Sequence, residues 1–297
     1  MSNLRLAVPT NPSAMDKIDG LGWPVSFALK AYGVRVGVRS NDPSVLDRIR
    51  EVLPGEWKES DLKQVDRIYS FLRSGVNGHS SARRYSHLYS DHVRLSRSRD
   101  FETMLEGFDS DFRLFVAEFA RRYVFVHAGA VGWRGQGIIV PGRSYSGKST
   151  LVAELVRAGA TYYSDEYAVI DPRGQLHPFA KPLELRHDGT YKQSKIEISE
   201  IGGQIGSKPL PIKMVLVTKF KEGSKWRPRK LTAGKGVLQL LANTVSARRD
   251  PERAFASLER VAAGAEILQG ARGEADEFVP ALLGRLERLI SKHAGTE

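Results

Sequence analysis

A nine-residue stretch in the middle of the chain carries the residue types that bind a triphosphate. Residues 142–150 read Gly-Arg-Ser-Tyr-Ser-Gly-Lys-Ser-Thr and fit the phosphate-binding loop pattern, in which four residues separate a glycine from Gly-Lys-Ser. The glycines let backbone N–H groups converge on phosphate oxygens, and the Lys148 ammonium neutralises the outer phosphates. The Ser149 hydroxyl can bind Mg²⁺. The pattern therefore predicts a nucleoside triphosphate site formed by Gly142, Ser144, Tyr145, Ser146, Gly147, Lys148, Ser149 and Thr150.

The segments on either side of this loop have the patterns of a strand and a helix. The apolar run 137–140, which ends at Pro141, is typical of a buried strand, and Leu151, Leu155 and Val156 repeat at helical spacing. A helix that begins at the loop favours anions, because its N-terminal dipole is positive. Strand, loop and helix thus follow the required order, which argues against a chance match in a glycine-rich turn.

Length and composition describe a globular protein. The 297 residues allow one large domain or, by preference, two, and the 41% hydrophobic and 27% charged residues are ordinary values. We find no apolar run near the roughly 18 residues that cross a bilayer and no signal-peptide core at the start. With no cysteine, a disulfide framework and a thiolate metal site are both excluded. We therefore expect a cytoplasmic protein with no membrane partner.

The net charge of +11 calls for an anionic partner or ligand. A basic cleft for a ligand and a basic face for nucleic acid or an acidic protein would both fit. The charges are scattered, so a solvated basic surface is an equal alternative, and the densest patch is 219–230. We recognise no nucleic-acid-binding module, which makes an ATPase associated with nucleic acid the least favoured class, although the charge does not exclude it.

The N-terminal part predicts an α/β region over residues 1–120. Alternating apolar and polar residues predict two strands within 23–39. Pro43 suits a first helical turn, and the apolar residues after it fall on one face until Pro54. A second helix is predicted over 101–119. Its apolar stripe is best explained by core packing and consists of Met104, Leu105, Phe108, Phe112, Phe115 and Phe119.

The remaining part, 121–297, predicts a phosphate-loop domain with a largely β core and C-terminal helices. Apolar runs indicate strands at 122–131 and 212–218. Helical periodicity marks 236–244 and the whole of 251–293. The fold class is therefore α/β.

Five residues near the loop in sequence have the types that phosphoryl transfer needs. The reaction requires a metal ligand, a carboxylate that accepts the proton of the incoming hydroxyl, and a cation on the transferring group. Asp165 and Glu166 can fill the first two roles, or they can lie in a solvated turn. His127, on a predicted strand, would by itself more often be a core histidine. Glu184 and Arg186 share one face of a predicted strand and can form a simple ion pair.

The order of these residues resembles the catalytic domain of HPr kinase/phosphorylase, which is related to ATP-dependent phosphoenolpyruvate carboxykinase. The segment Phe-Val-His-Ala-Gly-Ala-Val around His127 resembles the strand before the family's loop. Ser164-Asp165-Glu166 stands where the family has an Asp-Asp pair, and Leu183–Arg186 reads Leu-Glu-Leu-Arg where the family has Leu-Glu-Ile-Arg. The resemblance covers roughly residues 120–245.

This resemblance implies a role for each candidate. Asp165, together with Glu166, would be the general base or its metal-linked neighbour, and which of the two carboxylates is the base stays open. His127 would lie beside the transferred phosphoryl group. The remaining roles would be Mg²⁺ binding by Ser149 and Glu184 and contact with phosphate or substrate by Arg186.

The implied activity is ATP- and Mg²⁺-dependent transfer of the γ-phosphoryl group to a hydroxyl of a protein, a peptide or a small molecule. The resemblance also makes a homo-oligomer possible. The alternative is a nucleotide-gated binding module or an ATPase without kinase activity. In the module, ATP would order the polar, glycine-containing segment 191–209, which we expect to be mobile, and thereby control a partner.

Overall fold

The computed structural model describes residues 4–8, 11–75, 85–143, 146–186 and 193–294. The chain divides into two compact units, Met1–Arg121 and Arg122–Glu297. Each unit combines helices with β-sheet, which confirms the α/β class predicted from the sequence. None of the helices within these described ranges is long and apolar enough to span a membrane.

The first unit is built on a mixed sheet with strand order β4-β2-β3-β6-β7-β8, in which β3 and β6 are parallel. Its elements are β1 (Arg5–Leu6), α1 (Pro12–Asp19), β2 (Val25–Ala31), β3 (Val34–Ser40), α2 (Ser44–Val52), β4 (Trp57–Ser60), β5 (Gln64–Val65), β6 (Arg67–Leu72), β7 (Ser86–Ser90), β8 (Val93–Ser98) and α3 (Phe101–Phe119). The two strands and two helices predicted within residues 23–119 are confirmed.

Helix α3 has the predicted bounds because its start is capped and its apolar stripe is buried. The Asp100 carboxylate accepts hydrogen bonds from the backbone N–H groups of Glu102 (3.3 Å) and Thr103 (3.1 Å), which otherwise have no helical partner. Phe108 is fully buried within this unit. Phe119, in contrast, is exposed, so the stripe ends one turn earlier than predicted.

The second unit carries the phosphate-binding loop, which lies between β10 and α4. Its elements are β9 (Val124–Trp133), β10 (Gln136–Pro141), α4 (Lys148–Arg157), β11 (Thr161–Ser164), β12 (Tyr167–Ile170), β13 (Gln175–His177), β14 (Leu183–Arg186), β15 (Gln193–Ile196), a 3₁₀ helix (Ile198–Ile201), β16 (Leu210–Phe220), β17 (Arg229–Lys230), α5 (Ala233–Leu241), a 3₁₀ helix (Val245–Arg248), α6 (Pro251–Gly264), β18 (Glu266–Arg272) and α7 (Ala275–Ala294).

The main sheet of this unit brings several strand ends to one edge. Its order is β10-β9-β12-β13-β16-β18-β17, with β11 paired to β9 and a further pairing of β10 with β16. Strands β10, β16 and β18 are parallel, so their carboxyl ends meet at the same edge. Strand β9 is antiparallel to β10 and places Ala128 opposite Pro141. The start of β9, which contains His127, therefore lies at that edge as well.

Helices cover both faces of the central strands. Ile138 and Met214 belong to one buried cluster with residues of α4 and α7, whereas Ile139 and Val215 belong to another with residues of α5 and α6. Neighbouring residues of a strand point to opposite faces, so the two clusters lie on opposite sides of the sheet. Burial on both sides explains why these strands appear in the sequence as continuous apolar runs.

Two sequence predictions for this unit are wrong. Residues 266–272 were expected to be helical with the rest of 251–293, but they form β18, which pairs along its length with β16. The part of the 191–209 segment that the structure describes, residues 193–209, is also folded. It contains β15 and a 3₁₀ helix, buries Ile198, and its Gly206 N–H donates to the Tyr162 carbonyl (2.8 Å). The polar composition of this segment suggested a mobile loop, but its residues pack and hydrogen-bond against the sheet.

Candidate active site

The phosphate-binding loop has the backbone geometry that an anion site requires. Gly147 adopts a left-handed conformation with φ of 80°, and α4 begins directly after it without a side-chain N-cap. A Cβ atom on Gly147 would lie 2.8 Å from Nη2 of Arg272, so only glycine fits there without displacement. The uncapped N–H groups of the first turn of α4 are thus available to an anion. Ser144 and Tyr145 lie outside the described residues, and Thr150 is exposed in this first turn.

Lys148 is buried inside the loop that it belongs to. Its Nζ donates a hydrogen bond to the backbone oxygen of Arg143 (2.8 Å), across the loop. Burial lowers the pKa of Lys148 to about 8, and the negative charges of Asp165 and Glu166 oppose that shift. A polyanion in the loop would compensate the buried ammonium, which is the role that the sequence assigns to this lysine.

Asp165 is brought directly to the loop. The residue is only 6% exposed, and its Oδ2 accepts a hydrogen bond from the Ser149 hydroxyl (3.0 Å) while Oδ1 accepts one from the Tyr162 hydroxyl (2.9 Å). The bend that places it is held by Ser164, whose Oγ accepts from the backbone N–H groups of Glu166 (3.1 Å) and Tyr167 (3.0 Å). The alternative of a solvated turn is therefore excluded for Asp165.

A lysine that the sequence analysis did not select joins the other two carboxylates. Nζ of Lys181 lies 3.3 Å from Oε2 of Glu166 and 3.3 Å from Oε1 of Glu184. Glu184 thus has a cationic partner, as the ion-pair alternative proposed, although the partner is Lys181. Its metal-binding role stays a prediction. Arg186 ends β14, opposite Gln193, and the role of its side chain, which lies outside the description, also stays a prediction. Lys181 precedes β14 and lies in no helix, so its spacing from Glu184 did not indicate this contact.

His127 lies at the same edge and is uncharged at neutral pH. Its backbone N–H donates to the Asn243 oxygen (2.7 Å), and its carbonyl accepts from the Gly142 N–H (3.2 Å), so the residue is tied to the start of the loop. Burial, followed by the charges of Lys148 and Lys181, lowers the pKa of His127 to about 4. A neutral imidazole can accept a proton or a hydrogen bond at this edge.

Arg272 is a site residue that the sequence analysis missed. It is 2% exposed, its Nη2 donates to the Gly147 carbonyl (2.8 Å) and its Nη1 to the Gly273 carbonyl (3.0 Å). Burial lowers the pKa of this guanidinium. The residue ends β18, which was predicted to be helical, so its proximity to the loop could not be foreseen. The flanking glycines, Gly270 and Gly273, were the only hint of a break in helical periodicity.

The pair of Ser149 and Asp165 fits a magnesium ion. Within the described ranges, no group of three or more histidine or acidic side chains is arranged as a metal site. Mg²⁺, however, prefers oxygen ligands and is commonly held by one or two protein groups together with substrate phosphates. A hydroxyl and a carboxylate 3.0 Å apart at the mouth of a phosphate loop meet that requirement.

Comparisons with known proteins do not identify a family for this chain. No protein-family model matches the chain, and no curated protein sequence matches it. Among solved structures, the Hpr(Ser) kinase/phosphatase from Coxiella burnetii is similar at 15% sequence identity, with 57% of this chain and 98% of that chain covered and a TM-score of 0.34. Similarity at this level carries no argument about activity.

Proposed function

We propose that this chain is an ATP- and Mg²⁺-dependent kinase that transfers the γ-phosphoryl group to a hydroxyl of a protein, a peptide or a small molecule. The observation that carries the proposal is the buried Asp165 carboxylate in hydrogen-bond contact with the loop hydroxyl of Ser149. Phosphoryl transfer depends mainly on positioning and electrostatic stabilisation, and both groups are placed at the mouth of the loop.

The loop would hold the phosphates of ATP through backbone N–H groups and side chains. Lys148 would exchange its hydrogen bond to the Arg143 carbonyl for phosphate oxygens. Oγ of Ser146 is buried and has no hydrogen-bond partner among the described residues, so it would donate to a phosphate. The other proposed contacts are those of Gly142, Ser144, Tyr145, Gly147, Ser149 and Thr150.

Ser149 and Asp165 would hold the magnesium ion, with Glu184 as a further candidate ligand. When bound, Mg²⁺ would neutralise charge on the transferring phosphoryl group. Tyr162, which donates to Asp165, fixes the orientation of this carboxylate. Asp165 could therefore bind the ion without moving. Only its hydrogen bond from the Ser149 hydroxyl would have to break.

Asp165 and Glu166 are both candidates for the base that accepts the proton of the acceptor hydroxyl. Glu166 has its charge balanced by Lys181, and Asp165 accepts two hydrogen bonds. His127 would support the base as a neutral hydrogen-bond acceptor, since its lowered pKa leaves it uncharged. Arg186 would contact the phosphate or the acceptor.

Transfer assays with candidate acceptors test the proposal. Purified protein would be incubated with γ-labelled ATP and Mg²⁺ in the presence of pooled proteins, hydroxyl-containing peptides and small alcohols, and labelled products would be identified by mass spectrometry. The proposal expects one class of hydroxyl to become labelled. It fails if the protein binds ATP and Mg²⁺ yet labels no acceptor, in which case a nucleotide-gated binding module becomes the better explanation.

A further inference from the structure

A cavity of about 610 Å³ lies beside the loop, at the carboxyl ends of three parallel strands. This volume is within the usual range for small-molecule sites, and the carboxyl-end crevice of a parallel sheet is where such ligands bind. The walls come from the ends of β10, β16 and β18, from the last turn of α5 and from the start of the loop. The cavity thus continues directly from the phosphate cradle.

We propose that this cavity binds the nucleoside, both base and ribose, of the triphosphate whose phosphates occupy the loop. The inference rests on the nucleotide site of the proposed function and adds the part of the ligand that a phosphate-binding loop does not recognise. It assigns the selection of the base to Thr218, Asn243 and Gln269.

The position of the cavity fits the part of the nucleotide that is not transferred. Gly142, Arg143 and Ser146 line it, which joins it to the loop. Among its described lining residues there is no Asp165, Glu166 or His127. A group bound in the cavity therefore touches the loop without facing the residues proposed for the chemistry.

A buried hydroxyl in the cavity wall lacks a protein partner. Thr218 is 7% exposed, and its Oγ1 makes no hydrogen bond within the described part of the chain. A buried hydroxyl without a partner destabilises a fold, because it has lost its hydrogen bonds to water. This residue lines the cavity, so a polar ligand there can supply the missing hydrogen bond.

Two amides in the wall offer a donor and an acceptor. Arg229 Nε donates to Oε1 of Gln269 (3.0 Å), which leaves the NH₂ group of Gln269 as a donor for a ligand. Nδ2 of Asn243 donates to the Gln239 carbonyl (2.9 Å), which leaves Oδ1 of Asn243 as an acceptor. A base edge that carries a donor next to an acceptor, as in purines, complements this pair.

The charge of the cavity also suits a nucleotide. Arg143 and Lys219 are exposed at its wall, and no carboxylate occurs among the described residues that line it. The rim therefore attracts the phosphate end of the ligand, while the neutral interior accepts the base.

Substitution of an exposed alanine in the wall tests the proposal. Ala242 follows α5 in helical conformation and is exposed, so Ala242→Trp would fill the cavity without disturbing the core. Leu238→Trp is the matched control, because Leu238 is on the same helix, is 64% exposed and does not line the cavity in the described structure. Calorimetry with Mg²⁺ would compare ATP with inorganic tripolyphosphate for each protein.

The proposal expects the wild-type chain to bind ATP at least about tenfold more tightly than tripolyphosphate. Ala242→Trp should remove that difference and leave tripolyphosphate binding unchanged, whereas Leu238→Trp should change neither. Thr218→Val provides a second variant, because valine has nearly the same shape as threonine but lacks the hydroxyl. It should weaken ATP binding about threefold to tenfold, with no loss of melting temperature, because it removes a hydroxyl that lacks a protein partner.

Three results would overturn the inference. Equal binding of ATP and tripolyphosphate by the wild-type chain would refute it while leaving the loop as a phosphate site. Loss of transfer by Ala242→Trp at unchanged ATP affinity would assign the cavity to the acceptor instead. Failure of the wild-type chain to bind either probe would refute the proposed function and, with it, this inference.

Discussion

The hydroxyl of Ser149 lies 3.0 Å from Oδ2 of Asp165, and this contact joins the first turn of α4 to the bend between β11 and β12. Sixteen residues separate the two in sequence. The contact makes this loop a candidate catalytic site. It places a buried carboxylate where a metal ion would contact the phosphoryl group that is transferred.

Ser149→Ala should abolish Mg²⁺-dependent tightening of ATP binding. The substitution removes the loop hydroxyl and leaves Asp165 with the Tyr162 hydroxyl as its remaining described donor. We expect about a tenfold or larger loss of ATP affinity in Mg²⁺ and little change in EDTA. Titration of ATP with and without Mg²⁺ measures this effect. Ser149→Thr keeps a hydroxyl and should restore binding, and an alanine variant as responsive to Mg²⁺ as wild type would argue against the metal role.

Arg272→Met should weaken ATP binding without lowering the stability of the fold. The guanidinium holds the Gly147 carbonyl, yet it is buried with only backbone oxygens as its described hydrogen-bond acceptors. Burying a charge that no carboxylate pairs is costly, so replacing it by an apolar side chain of similar volume should not destabilise the fold. We expect an unchanged or higher melting temperature together with about a tenfold weaker affinity for ATP. Unchanged affinity would show that Arg272 does not position the loop.

Gly147→Ala should lower the free energy of unfolding more than Gly→Ala at another glycine with a left-handed backbone. A Cβ atom would meet Arg272 Nη2 at 2.8 Å in addition to the left-handed backbone. Gly202→Ala is the matched control, since Gly202 has φ of 71° and open space around its Cβ position. Chemical denaturation should give a loss of about 1 kcal/mol for Gly202→Ala and a larger loss for Gly147→Ala. Equal losses would contradict the close approach of Arg272.

His127 should make stability depend on pH in the mildly acidic range. Its pKa is about 4 in the folded chain against an ordinary value of 6.5, so the unfolded chain binds more protons between these values. The stability that His127 contributes is complete above pH 6.5 and is lost as the pH falls through 4, by about 1–2 kcal/mol once solvent screening of this partly exposed group is included. Denaturation curves of wild type and His127→Gln at pH 7 and pH 4.5 should show a smaller loss for the variant. A parallel loss in both proteins would exclude His127 as the cause.

The sequence alone predicted those elements whose structure depends on residues close together in the chain. The loop pattern located β10 and α4, because a strand, a glycine-rich turn and a helix are all required for phosphate binding. The bounds of α3 were predicted around its apolar stripe, and Asp100 caps the helix at the residue before Phe101. Both predictions depend on residues that are neighbours in sequence.

The sequence was insufficient where distant segments decide the structure. Within 266–272, only Ile267 and Leu268 are strongly apolar, too short a run to be recognised between two helices. The strand forms because its backbone pairs with β16 over its full length. Arg272 and Lys181 escaped prediction for the same reason, because the fold brings Gly147 to Arg272 and Glu166 to Lys181.

The most direct test of the central claim is turnover by Asp165→Asn. The amide keeps the size of the carboxylate but cannot accept a proton or carry negative charge to a metal. The account predicts ATP affinity in EDTA, where no metal ion contributes, within about threefold of wild type. It also predicts that Mg²⁺-dependent γ-phosphoryl transfer, measured as ADP formation with any acceptor found or with water, falls at least about 100-fold. Turnover by Asp165→Asn at the wild-type rate would contradict it.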